Sequence, residues 1–189
     1  RRSIVFLFTT GEEKGLLVSR FYCEQPVVPL HKTLAAINVD GIAILDTFNS
    51  ITSVGAHLST LGEQLASVAK ALALTIDEVP SVFRENEFFH RSDQYSFARA
   101  GIPTILIMEG YDYQNIPSGQ GVRQFIQWGR DIYHTPFDDL QQKINFAASL
   151  QHTQTIFAYA GALANTFATS LRLRSLNPDR VTSTRVCNP

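Results

Sequence analysis

Three short apolar runs constrain this chain more than any other feature, because each stops at an acid or a turn. Ile4 to Phe8 leads within a few residues to Glu12 and Glu13. Leu34 to Val39 ends at Asp40 and Gly41, and Ile102 to Met108 ends at Glu109 and Gly110. Runs this short, rich in β-branched and aromatic residues, predict strands covered on both faces. Between them the periodicity turns helical. Leu61, Leu65, Val68, Ala69 and Leu72 mark one face of a helix over 61–74, with Ser59 or Thr60 available as its cap. A short helix over 95–100 should stop at Gly101, and a long one should run over about 146–171. Strands alternating with helices predict an α/β architecture, a mixed, largely parallel sheet flanked by helices.

At 189 residues and 44% hydrophobic composition the chain can bury one core. We expect one domain over 1–176, followed by a polar, proline-bounded extension over 177–189. Sixteen basic and seventeen acidic side chains are nearly balanced, without the basic run that tracks a phosphate backbone, which argues against nucleic acid as a partner. No apolar stretch reaches the roughly 20 residues that cross a bilayer. Cys23 and Cys187 are compatible with one bridge or with two free thiols. Residue 1 is Arg and a strand is expected almost at once, so the sequence reads as a cut chain, with a leader ahead of it left open.

In a sheet of this kind ligands gather beyond the carboxyl ends of the strands, where Glu12, Glu13, Asp40 and Glu109 are expected. Neighbouring glutamates point in different directions, so one can hold a metal while the other faces the water to be activated. The alternative is that both acids merely open a helix, where its dipole favours them. Asp40 closes an apolar strand, where an unpaired carboxylate is costly to desolvate, so a metal or a cationic partner is expected. A turn before Gly41 is the other explanation. His134 is a candidate zinc ligand, with Asp138 or Asp139 available to its second ring nitrogen. His57 and His90 are weaker candidates, and His31 and His152 read as ordinary surface positions. Residues 109–130 read as a long surface loop leading to His134.

Four segments, FTTGEEKGLLVS (8–19), AINVDG (36–41), RSDQYSF with AGIP (91–97 and 100–103) and YHTPFD (133–138), resemble in this order the zinc aminopeptidases of the M28 peptidase family. The resemblance implies a two-zinc exopeptidase on a zinc-exopeptidase-like sheet. Glu12 would be the general base and Tyr133 the phenol that meets the oxyanion. Glu13 and His134 would share one zinc, and Asp40 would bind the other. Asp93 would have an orienting role, and Phe88, Phe89 and the segment from Tyr111 to Trp128 would line the pocket for peptide substrates. Export to the periplasm or the exterior is implied in the same way.

Two departures stand out. The family completes its site with a histidine and a bridging aspartate upstream of the Glu-Glu strand, and the eleven residues before Glu12 contain neither. Glu13, Asp40 and His134 alone leave each metal short of three protein ligands, so weak zinc binding and little hydrolysis are expected. Gln94 stands where the family carries histidine. A non-catalytic receptor-type relative and a glutaminyl cyclase-like acyltransferase share the fold and are the alternatives, and the residues do not distinguish an aminopeptidase from a carboxypeptidase.

Overall fold

The structure is a computed structural model that describes residues 2–81 and 88–166. The expected extension over 177–189, Cys187 and any continuation of the last helix past residue 166 lie outside the described residues, as does the side chain of Phe88.

Four strands, β1 (Ala36–Asn38), β2 (Ser50–Val54), β3 (Thr75–Asp77) and β4 (Thr104–Glu109), form one sheet in the order β1-β4-β2-β3. β1 runs parallel to β4 and β2 parallel to β3, while β2 and β4 are antiparallel. The mixed sheet expected from the runs at 34–40 and 102–108 is therefore present. Among the described residues the helices α1 (Leu17–Glu24), α2 (Leu61–Ala71), α3 (Gln94–Arg99), α4 (Gly121–Asp131) and α5 (Phe146–Asn165) accompany it.

The alternation of side chains along a strand sorts the helices. Ile105 and Ile107 of β4 and Ile51 of β2 join Leu61, Leu65 and Ala69 of α2 and Ala148, Tyr159 and Leu163 of α5 in the main core. Leu106, offset by one residue, is buried outside that cluster, while α3 packs on β4 and β1 and is itself covered by α1. Local chemistry sets the helix ends. Ser59 Oγ accepts from the Leu61 amide at 3.2 Å, and Asn145 accepts from the amides of Ala147 and Ala148, so each satisfies donors that a first turn leaves free.

Three expectations about the fold are corrected. Residues 4–8 are not a strand: Ile4, Val5, Phe6 and Phe8 are all exposed. The segment is held at its start, where the Arg2 amide donates to Ala164 O at 2.9 Å, and near its end, where Thr9 donates to Asp93 at 2.6 Å. Between these points it forms no ladder among the described residues, and a strand covered on both faces needs neighbours that pair with it.

Residues 109–130 are a surface loop only in part, over 114–120. Tyr111 and Tyr113 are buried, and α4 begins at Gly121. His152 is not at the surface but only 1% exposed, because α5 packs against α2 and β4 and position 152 falls on its inward side. β2 was not anticipated because Ser50, Thr52 and Ser53 hide it. Its polar side chains are satisfied across the sheet, Ser50 Oγ donating to Asp77 Oδ2 at 2.6 Å and Thr52 Oγ1 to Asp77 O at 3.1 Å.

Candidate active site

Gly11 and Gly15, both with positive φ, bracket a single 3-10 turn over Glu12–Lys14 that turns the chain into α1. The acids therefore do open a helical segment, and they also face a common site. Glu12 is partly buried, and its carboxyl is raised to about 6, first by burial and then by the negative charges of Asp40, Glu13 and Asp93, with His134 acting in the opposite direction. A carboxyl in that range can take up and return a proton near neutral pH. Glu13, more exposed, reaches His134, whose Nε2 lies 3.1 Å from Glu13 Oε1.

Asp40 follows β1, and its Oδ2 accepts from Ser92 Oγ at 2.6 Å. Ser92 and Asp93 belong to the turn that precedes α3. Asp93 Oδ2 accepts from Thr9, while Asp93 Oδ1 is buried without a hydrogen-bond partner. One turn thus holds both the end of β1 and the approach to Glu12.

His134 arrives from the far side of the site. A chain of aromatic contacts leads to it, from Tyr111 to Phe125 (5.6 Å between ring centroids), to Trp128 (6.0 Å), to Tyr133 (5.3 Å) and to His134 itself (3.8 Å, stacked). The residue sits at φ 59°, a left-handed conformation in which histidine is enriched over most non-glycine residues. The Tyr133 phenol is raised above its ordinary value by its partial burial and then by the negative charges of Asp40, Glu13, Glu12 and Asp138.

Glu12, Glu13, Asp40, Asp93, Tyr133 and His134 thus share one electrostatic neighbourhood. Asp138 is not a partner of the His134 ring. It follows the turn that starts at Thr135, and its Oδ1 accepts from Gln142 Nε2 at 2.7 Å, while Asp139 Oδ1 accepts from the Gln141 amide. Phe89 packs edge-on to His90 and Tyr95, with its ring against the position where Gly55 lacks a Cβ. Three contributors were not singled out from the sequence: Thr9, Asn38 and Ser92. Each lies within a motif quoted above, but a hydroxyl or amide beside an acid gives no signal until the chain folds.

Carboxylate and imidazole are donors of the kind zinc takes, but no three of them converge among the described residues. Glu13 and His134 contact each other, and Asp40 is engaged by Ser92. The described residues therefore do not make up a catalytic zinc site, which keeps three protein ligands.

The sequence profile of peptidase family M28 matches residues 1–160. Among solved structures, the chain is similar to an aminopeptidase from Aneurinibacillus sp. strain AM-1, with a TM-score of 0.52 and 22% identity over 87% of this chain and 32% of that one. It is also similar to BSAP, a zinc aminopeptidase from Bacillus subtilis, with a TM-score of 0.56 and 19% identity over 87% of this chain and 37% of that one. At these identities the likeness is one of fold, and the chain spans about a third of the length of either enzyme. No curated protein matches the sequence.

Proposed function

Because the chain belongs to peptidase family M28, we propose that it serves an aminopeptidase activity, releasing residues from the amino termini of peptides with zinc as the metal of the reaction. The observation that carries this reading is that Glu12, Glu13, Asp40, Tyr133 and His134, from three separate segments, lie near enough for their charges to act on one another, with His134 in contact with Glu13. In it Glu12 is the general base. It takes a proton from the attacking water and returns it to the leaving amine, and the Tyr133 phenol donates to the oxygen on which negative charge develops.

Glu13, Asp40 and His134 are the donors offered to zinc. With fewer than three of them meeting at one point, this chain by itself holds zinc weakly and turns peptides over slowly. A titration that found two tight equivalents of zinc would overturn that. Export to the periplasm or the exterior is proposed as part of the same reading, on the family resemblance alone.

The test is product analysis by mass spectrometry on peptides with free amino termini, one of them beginning with glutamine, in the presence of zinc. Slow release of the first residue, lost in Glu12→Gln with zinc content unchanged, supports the reading. Removal from the carboxyl end, cyclisation of the glutamine, or identical product levels in Glu12→Gln and the parent chain would each sink it.

A further inference from the structure

The hydrogen bond that Asp40 receives is the last step of a longer arrangement. Ser92 Oγ carries one proton, and it is spent on Asp40 Oδ2 at 2.6 Å. The serine oxygen must therefore accept whatever else approaches it, and what approaches is Asn38 Nδ2 at 2.7 Å, a group that only donates. The second proton of the same Asn38 amide goes to Gln94 Oε1 at 2.6 Å. With its oxygen so engaged, Gln94 turns its own amide to the Phe89 carbonyl, 3.0 Å away. Phe89 O belongs to the backbone of a 3-10 turn and accepts only, so the polarity of the whole series is set from that end.

Gln94 is 1% exposed and Ser92 5% exposed, so water does not compete at these two residues, while Asn38 is half-buried and Asp40 is exposed. Reversing the Asn38 amide would bring oxygen against oxygen at the Asn38–Gln94 contact, and reversing the Gln94 amide would bring two donors together there and oxygen against the Phe89 carbonyl, each at the cost of unsatisfied polar groups. We propose that Gln94 is a positioning residue for Asp40. It fixes the Asn38 amide, which commits the Ser92 proton to Asp40 Oδ2 and holds the carboxylate in one rotamer. An amide is neutral at every pH the fold tolerates, so the relay keeps its direction throughout that range. That this serves catalysis rests on the functional reading above. The geometry of the relay does not.

The experiment is an NMR measurement of the Asp40 Hα–Hβ couplings in the zinc-free chain. The parent chain should show a single rotamer. Gln94→Met, which keeps the shape of the side chain and removes both polar ends, should average the couplings. Ser92→Ala should do the same, and the double variant should go no further than Ser92→Ala alone, since members of one relay are not additive. Leu163→Ala, a core truncation remote from the relay, should lower stability and leave the Asp40 couplings as they are. If Gln94→Met does not fold, Asn38→Ala interrupts the relay one step later and is read in the same way.

A single Asp40 rotamer in Gln94→Met, or averaging of equal size in Leu163→Ala, would overturn the proposal. Peptide hydrolysis is measured on the same samples. An inactive parent chain with Gln94-dependent couplings would sink the peptidase reading and keep the relay.

Discussion

His134 Nε2 lies 3.1 Å from Glu13 Oε1, and the two side chains are 54% and 67% exposed. A contact open to water to this extent contributes little to stability, about 1 kcal/mol at most. Its geometry therefore depends on what holds each residue independently, the 3-10 turn on one side and the aromatic chain from Tyr111 on the other.

His134→Ala should accordingly leave the urea midpoint almost where it was while weakening zinc binding further, as seen by calorimetric titration. A loss of several kcal/mol in the urea experiment would mean that His134 supports the fold rather than the site.

Glu109 predicts a stability that falls as pH rises. Burial at the end of β4 lifts its carboxyl from 4.5 to about 7. Between those values the folded state keeps a proton that the unfolded chain has released, so the cost grows with pH and is complete above about 7. Its size is on the order of 3 kcal/mol. Glu109→Gln should be more stable than the parent chain in urea at about pH 8, with the difference closing at about pH 4. Equal gains at both values would contradict the assignment.

His152 predicts the opposite slope. Its Nδ1 accepts from the Ala43 amide at 3.1 Å and its Nε2 faces Ile107 O at 3.3 Å, an arrangement that requires the neutral ring with its proton on Nε2. Burial lowers the ring below its ordinary 6.5, so the unfolded chain takes up the proton first. The stabilisation is whole above about 6.5 and is lost as pH falls through the lowered folded value. His152→Phe should remove this acid-side slope and cost roughly 1 to 3 kcal/mol at neutral pH, since the Ala43 amide is left without a partner. Thermal melts across the acid range would show whether the slope persists in the variant.

Gly121 opens α4 where a Cβ would collide with the carbonyl oxygen of Tyr111. Backbone cannot swing aside as a flexible side chain can, so Gly121→Ala should displace the start of α4 and cost about 1 to 3 kcal/mol. Because the aromatic chain passes from Tyr111 through α4 to Tyr133, the same change should shift the ring signals of Tyr133 and His134 in NMR spectra. A stable variant with unshifted rings would separate α4 from the placement of His134.

The α/β class, the strands at 36–38 and 104–109, the helix from Leu61 and the identity of the acids and His134 were legible because their signals are local. An apolar run, a helical period or an acid after a strand can be read from neighbouring residues. Other features depend on partners far away in the chain. Ile4 to Phe8 has the composition of a strand but makes no ladder among the described residues, because pairing depends on an edge that no run of five residues specifies. β2 was concealed by Ser50 and Thr52, whose burial is compatible with a sheet only because Asp77 accepts their protons. His152 looked like a surface residue until α5 was laid on the sheet.

What the sequence by itself determined is the chemical inventory: two adjacent glutamates, one aspartate after a strand, one histidine after a tyrosine, in an order that identifies the family. What only the tertiary structure decided is their coupling. Ser92, Asn38 and Gln94 orient one another because folding brings them together from separate segments and removes the water that would otherwise satisfy Ser92 and Gln94.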